Sequence, residues 1–167
     1  MKIIFLDYDG VVNTLWFNDI NGEPDFNYPQ MIQVNNTQAI AWLNKLYRKV
    51  PYSIVVSSTW RFNKNYQEAL YNAGLNKEIP ILGTTPRGSF SEKRGNEIQQ
   101  WLDIHKEYNI EDFIILDDDS DMEHLIDHLI QTDSILGITY YIYEQIISRW
   151  GEEENDKWRK RNGKETN

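Results

Sequence analysis

The chain has 167 residues, 40% of them hydrophobic, so it is long enough for one domain with a complete core and too short for two. It contains no cysteine, which excludes disulfides, thiolate metal sites and thiol nucleophiles. With 26 acidic and 17 basic residues its formal net charge is -9, so the molecule as a whole repels polyanions. We therefore do not expect a general nucleic-acid binder, although a local basic patch can still recognise one phosphate.

The chain opens with a short apolar run, residues 2–6, which ends in an acidic turn. A β-branched run of this length is typical of a buried parallel strand, and it is too short for a signal-peptide core or a membrane span. We therefore expect a cytoplasmic protein that does not enter a membrane.

Residues 13–34 lose all periodicity, and a loop of this length in a compact domain suggests a flap over a site. Asn35 and Asn36 are then predicted to cap the first crossover helix, whose apolar positions stop at Pro51. Apolar runs predict three further strands, at residues 53–56, 79–82 and 113–116.

Helices are predicted between and after these strands. The second ends at Gly74, and the capping-box spacing of Ser89 and Glu92 predicts the start of the third. The remaining predictions are a short helix with apolar positions from 122 to 129, a small strand or turn at 135–138, a last amphipathic helix over 140–150 and a charged, frayed tail at 151–167. The alternation predicts a single α/β domain over residues 1–150, with a mostly parallel sheet covered on both faces.

Polar side chains follow three of the predicted strands. In an open α/β sheet the ligand site lies beyond the carboxyl ends of the strands, so these side chains are expected to converge. Clustered carboxylates repel one another unless a cation neutralises them, and oxygen-only ligands favour Mg²⁺. The residues are Asp7, Asp9 and Gly10 after the first strand, Ser57, Ser58 and Thr59 after the second, and Asp117, Asp118, Asp119 and Asp121 after the fourth.

The run Phe5-Leu-Asp-Tyr-Asp-Gly-Val-Val resembles the first motif of the haloacid dehalogenase (HAD) superfamily, an apolar strand followed by Asp-x-Asp-Gly. The resemblance implies a three-layer, Rossmann-like HAD fold and a Mg²⁺-dependent phosphatase. In that family the first Asp attacks phosphorus to form an aspartyl-phosphate, and the second protonates the leaving oxygen and then activates water. By resemblance these roles fall on Asp7 and Asp9.

Three further motifs of the family are matched in order. Ile54-Val-Val-Ser-Ser-Thr supplies the hydroxyl that binds the phosphoryl group, for which we favour Ser58 over Ser57, with Thr59 as a further substrate contact. The positive charge beside the nucleophile falls on Lys93 or Arg94, between which the sequence does not choose. By resemblance the magnesium site involves Asp7 and Asp9 together with the acidic run, in which Asp117 binds the ion and Asp118 and Asp121 lie behind it.

The substrate expectation comes from the segment after the serines and from the missing cap. Arg61 is expected to hold a phosphate of the substrate, while Trp60 suits either stacking on a base or ordinary core packing. The Ser-Ser-Thr-Trp-Arg segment and the run Arg94-Gly-x-Glu-Ile-x-x-Trp-Leu are similar to capless HAD domains of RNA-repair proteins. No gap has room for a separate cap domain, and an open site suits a phosphorylated substrate as large as a polynucleotide end.

Other functions are consistent with parts of this pattern. A receiver domain also gathers acids around Mg²⁺ at strand ends, but its acidic pair and lone Asp are arranged differently. A phosphatase or nucleotidase for small metabolites, and a catalytically silent HAD-like binding domain, are further alternatives. Retention of both Asp7 and Asp9 disfavours the silent domain.

Overall fold

A computed structural model describes residues 1–14, 37–62, 64–88 and 92–162, with side chains described as far as residue 151. Within them one five-stranded sheet has the order β3-β2-β1-β4-β5, and every neighbouring pair is parallel. The central strand is buried along its whole length, as its uninterrupted apolar sequence predicts. The strands are β1 (Lys2–Leu6), β2 (Ser53–Val56), β3 (Ile81–Thr84), β4 (Asp112–Asp117) and β5 (Leu129–Gln131).

Helices cover both faces of this sheet, which gives the predicted three-layer α/β fold. Alternate residues of β1 separate the two cores: Ile4 and Leu6 face one cluster, and Ile3 and Phe5 face the other. The first cluster includes buried residues of α1, α2 and α4, and the second those of α3. The helices are α1 (Thr37–Lys49), α2 (Tyr66–Asn72), α3 (Arg94–Ile104) and α4 (Tyr140–Asn162), with 3₁₀ helices at Thr59–Phe62, Lys106–Tyr108 and Glu123–His128.

The chain reverses its direction across the sheet at β1. It runs outward from β1 to β3 through α1 and α2, then crosses back to β4 through α3 on the opposite face. Right-handed crossovers require this change of face when the direction reverses. Ligands of open α/β sheets bind where the strand order reverses, so the carboxyl ends of β1 and β4 are the expected place for a site.

The predicted third strand and the predicted helix at 122–129 were misplaced. The third strand is Ile81–Thr84 instead of 79–82, because Ile79 is buried in a turn and Pro80 has no N–H to donate to a strand ladder. The later segment divides into the 3₁₀ helix and β5, a strand that sequence analysis missed. Where a small strand or turn was predicted at 135–138, residues 134–136 form a turn closed by a bridge between Asp133 and Gly137.

Two predicted helix ends also differ from the structure. Helix α3 begins at Arg94, and the side chain of its N-cap, Lys93, makes no capping hydrogen bond, so a capping box at Glu92 was wrong. Helix α4 continues past the predicted end at residue 150. The predicted caps Asn35, Asn36 and Ser89 lie outside the described residues.

The chain after β3 carries no additional domain in the part that the structure describes: residues 92–111 form only α3, a 3₁₀ turn and the approach to β4. Apart from Asn13 and Thr14, the predicted flap at 13–34 lies outside the described residues. Across the described ranges, none of the helices combines the length and apolarity needed to span a membrane.

Candidate active site

The carboxyl ends of β1, β2 and β4 meet at one edge of the sheet. The ladder continues one residue past the strands, since the Asp7 amide donates to the Leu116 carbonyl at 2.9 Å and the Ser57 amide to the Leu6 carbonyl at 3.0 Å. These bonds fix the backbone of both polar residues against β1 and β4. The convergence expected from the parallel order is therefore present.

Three carboxylates gather at this edge. Oxygen atoms of Asp7, Asp117 and Asp118 lie within 4.8 Å of one another. Asp117 Oδ1 accepts a hydrogen bond from the Asp119 amide at 2.9 Å, while its buried Oδ2 has no hydrogen-bond partner among the described residues. A buried carboxylate oxygen without a donor, in an all-oxygen group, fits a hard divalent cation such as Mg²⁺.

Burial makes these acids unusually weak. It raises the pKa of Asp7 to about 6, although the Arg94 charge and a hydrogen bond from the Ser58 hydroxyl act in the opposite direction. Burial, and next the charge of Asp7, raise the pKa of Asp117 to about 7, and burial also raises the pKa of Asp118. Keeping these carboxyl groups ionised inside the folded protein thus costs free energy, and a bound cation would remove that cost.

Gly10 allows Asp118 to approach the first motif. A Cβ atom on Gly10 would lie 2.3 Å from Asp118 Cγ, and the residue has a φ of +70°, which side chains other than glycine rarely adopt. Gln131 at the end of β5 donates to the Asp118 carbonyl at 2.9 Å, and the Thr132 hydroxyl donates to the Gly10 carbonyl at 2.8 Å. The missed strand β5 therefore supports the acid group from its outer side.

The structure brings Arg94, and not Lys93, to the acids. The Arg94 guanidinium lies 3.7 Å from Asp7 Oδ1 and 3.5 Å from Asp117 Oδ2. Lys93 is exposed and lines a separate depression next to Asp119. Among the described residues, Arg94 is thus the cation placed beside the candidate nucleophile.

The carboxylate of Asp121 contacts the start of α3 and lies outside the group of three. It accepts a hydrogen bond from the Arg94 amide at 3.1 Å, and its carbonyl accepts one from Gly95 at 3.2 Å. A Cβ on Gly95 would lie 2.1 Å from the Met122 carbonyl oxygen, so only glycine permits this approach. Asp121 therefore fixes the helix that carries Arg94.

The hydroxyls after β2 differ in their surroundings. Ser58 donates to Asp7, and its Oγ also accepts a hydrogen bond from the Trp60 amide at 3.2 Å. Ser57 Oγ is buried without a hydrogen-bond partner in the described part of the chain. Thr59 is exposed and lines a neighbouring pocket.

A family model described as the HAD domain in Swiss Army Knife RNA repair proteins matches residues 3–141. The chain belongs to this HAD family. Comparison with curated proteins and with solved structures gives no match. HAD domains are generally hydrolases of the phosphatase type, and the fold class and the resemblance predicted from sequence are both confirmed.

In this HAD domain the second Asp of the first motif is held by a tryptophan. Asp9 is exposed, outside the group of three acids, and Trp60 Nε1 donates to its two oxygens at 3.1 and 3.0 Å. Asn13 Nδ2 donates to Asp9 Oδ1 at 2.7 Å. The indole also stacks on Tyr8, with ring centroids 5.4 Å apart. No local pattern predicts this contact, because 51 residues separate Trp60 from Asp9.

Arg61 is directed into the protein. Its guanidinium donates to the carbonyls of Ser57 and Ser58, both at 3.1 Å, and to Glu97 Oε1 at 2.7 Å. Both partners of the ion pair are nearly buried, and Glu97 also lies 3.9 Å from Arg94. Glu97 was not predicted as a site residue, although it belongs to the run at residues 94–102 that is similar to HAD domains of RNA-repair proteins.

Proposed function

We propose that this HAD domain is a Mg²⁺-dependent phosphatase that hydrolyses a phosphomonoester through an aspartyl-phosphate on Asp7. The observation that carries the proposal is the environment of Asp7, a buried carboxylate at the end of a strand. Ser58, Arg94 and the two other carboxylates of the candidate metal site surround it. An isolated strand-end turn would not need all of these partners. Asp9, two residues further on, supplies the second carboxyl group that such a reaction needs.

In the first half of the reaction, an Asp7 oxygen attacks phosphorus and the bond from phosphorus to the ester oxygen breaks. The departing oxygen takes a proton from Asp9. In the second half Asp9 removes a proton from water, the water oxygen attacks phosphorus, and Asp7 leaves as a carboxylate with release of inorganic phosphate.

The remaining residues hold charge during both halves. Ser58, with Ser57 next to it, binds phosphoryl oxygens, and Arg94 offsets the negative charge that the phosphate brings to Asp7. Asp7, Asp117 and Asp118 would hold Mg²⁺, which when bound supplies positive charge to the phosphoryl oxygens. Asp121 acts by fixing the start of α3.

The proposed substrate is a phosphorylated nucleic-acid end. The matching family model describes domains of RNA repair proteins, and residues 92–111 provide no cap over the site. A large substrate excludes water from such a site by its own bulk. The proposed location is the cytoplasm.

Phosphate release from a panel of esters tests the activity. With Mg²⁺ we expect turnover that chelation of the metal removes and that Asp7→Asn abolishes, and acid-quenched enzyme should carry covalent phosphate only while Asp7 is intact. Asp103→Asn, an exposed acid on α3 away from the site, is the matched control and should retain full turnover. A silent binding domain would release no phosphate from any ester. A small-metabolite phosphatase would prefer sugar phosphates to oligonucleotide ends.

A further inference from the structure

A pocket of about 320 Å³ opens beside the acid group. Its walls come from the 3₁₀ helix Thr59–Phe62, the segment after β3 and the start of α3. Arg94 lines the pocket and lies 3.7 Å from Asp7, so a ligand there would border on the candidate nucleophile. Ligand pockets begin at about 300 Å³, so this one has room for a single small group such as a nucleoside.

Phe62 is the unusual residue of this pocket. Its side chain is 55% exposed, although a large apolar side chain is normally buried. Two guanidinium groups adjoin the ring, that of Arg61 at 4.9 Å and that of Arg87 at 5.0 Å from its centroid. Exposed aromatic rings and guanidinium planes are the surfaces on which proteins stack unpaired bases.

The two arginines differ in what they leave available. Arg61 is committed to Glu97 and to backbone carbonyls, and it is nearly buried. Arg87 is exposed, and no ion pair links it to an acid among the described residues. Its N–H donors, and the guanidinium face that does not adjoin Phe62, are therefore available to a ligand.

Some of the other polar groups of the pocket already have partners in the protein, and others are exposed to a ligand. Glu97 pairs with Arg61, and Asp121 accepts a hydrogen bond from the Arg94 amide. Glu92 and Thr59 are exposed on the lining and offer an acceptor and a hydroxyl. Such groups suit the amines and hydroxyls of a nucleoside, whereas an aliphatic leaving group would leave them unused.

We propose that this pocket binds the nucleoside that carries the scissile phosphate, with its base stacked on the Phe62–Arg87 pair. The proposal rests on the proposed phosphatase function, since this nucleoside is the leaving group when Asp7 attacks phosphorus. A mononucleotide and a polynucleotide end share this nucleoside, and separate substrates distinguish them.

The test compares kcat/KM for matched substrates with Mg²⁺ present. They are a terminally phosphorylated single-stranded oligonucleotide, the same oligonucleotide with an abasic terminal residue, and a nucleoside monophosphate. One stacked base contributes roughly fivefold or more, so the base-bearing end should exceed the abasic end by that factor. Phe62→Ala and Arg87→Ala should bring the ratio of kcat/KM for the base-bearing end to kcat/KM for the abasic end close to one. If the mononucleotide is hydrolysed as well as the oligonucleotide, the substrate is identified as a mononucleotide.

Controls separate stacking from charge and from folding. Arg87→Lys keeps the charge but loses the planar face, so it should lower the ratio almost as much as Arg87→Ala. Tyr141→Ala and Arg48→Ala remove an exposed aromatic and an exposed arginine elsewhere and should keep the native ratio. Because Arg87 is exposed, its variants should fold even if Phe62→Ala does not.

The subsite would be overturned by a native ratio near one or by a ratio that the Arg87 variants leave unchanged. If no ester is hydrolysed at all, the phosphatase function fails and binding decides the subsite. Fluorescence anisotropy of the two labelled oligonucleotides on the Asp7→Asn protein then measures it. Tighter binding of the base-bearing end that Arg87→Ala removes would support the subsite, and equal binding would refute it.

Discussion

Trp60→Phe is the substitution that most directly examines the placement of Asp9. The phenyl ring keeps an aromatic face toward Tyr8, but it removes the only indole N–H that donates to both Asp9 oxygens in the described structure. Asp9 then loses a donor that restrains its carboxyl group. We expect the protein to fold while proton transfer by Asp9 slows.

The magnitude follows from the hydrogen bond and its exposure. A hydrogen bond to a charged group contributes about 1.5–3 kcal/mol, and the value for the exposed Asp9 falls below this range because solvent competes for the carboxylate. A loss of about 1 kcal/mol corresponds to roughly a fivefold decrease in rate. Asp9→Asn removes the proton itself and should cost about 10²–10⁴-fold.

The assay uses esters whose leaving groups differ in their need for a proton. An alkyl phosphate requires protonation as the bond breaks, whereas p-nitrophenolate departs without it. We compare kcat/KM because, in the proposed mechanism, it reports on the steps up to formation of the aspartyl-phosphate, where Asp9 would act as the acid. Trp60→Phe should lower kcat/KM for the alkyl ester about fivefold and change that for p-nitrophenyl phosphate little.

Trp42→Phe is the matched control. The Trp42 indole nitrogen is buried and has no hydrogen-bond partner among the described residues, so its removal should cost no activity with either ester. Equal losses for both esters in Trp60→Phe would refute a positioning role. So would a full further fivefold loss when Trp60→Phe is added to Asp9→Asn, because two residues acting through one proton are not additive.

Three further outcomes are expected. Without metal, burial raises the pKa of Asp7 in the folded protein from 3.8 to about 6, so the free energy of unfolding should fall by roughly 3 kcal/mol as the pH rises from about 4 through about 6. Bound Mg²⁺ should offset this loss. A thermal midpoint that rises with pH over this range in the absence of metal would contradict it. Gly95→Ala forces a Cβ onto the Met122 carbonyl and should cost about 1–3 kcal/mol in urea unfolding, and an unchanged midpoint would be inconsistent with that contact. Arg94→Ala should lower kcat/KM roughly 10²-fold, while Lys93→Ala should change it by no more than about twofold. The reverse order would show that Lys93, and not Arg94, offsets the charge beside Asp7.

The position of the acid group was predictable because it depends on topology more than on side-chain detail. Asp7 and Asp117 each end an uninterrupted apolar run, and parallel neighbours bring such ends to one edge. A wrong start for β3 or a missing β5 does not change that prediction, because these two strands form the edges of the sheet and the β1–β4 pair is complete without them. Local apolar pattern was therefore sufficient for the fold class and for the place of the acid group.

The choice between Lys93 and Arg94 was not predictable from local sequence. Helix position determines which side chain faces the acids, and α3 begins where Asp121 accepts the Arg94 amide, a contact between residues 27 apart. The local signal, a capping box at Glu92, gave an earlier start. Tertiary capping overrode it, as it overrides weak local propensities in general.

The same limitation applies to the residues after β2. Their sequence suggested substrate contacts for Arg61 and left Trp60 open between stacking and packing. In the structure Trp60 contacts Asp9 and Arg61 contacts Glu97, partners 51 and 36 residues away. Long polar side chains reach in several directions from one backbone position, so their partners depend on which elements the fold brings close.

The net charge of -9 is compatible with the proposed anionic substrate, because charge acts over a limited distance. At physiological ionic strength, interactions between exposed charges are screened beyond about 8 Å, so most surface acids do not act on a phosphate inside the site. The charges that do act lie close together: Arg94 beside Asp7, and Arg87 in the adjoining pocket. Binding in this arrangement depends on a few short contacts and not on long-range attraction, which favours recognition of a terminal group over tracking along a nucleic-acid backbone.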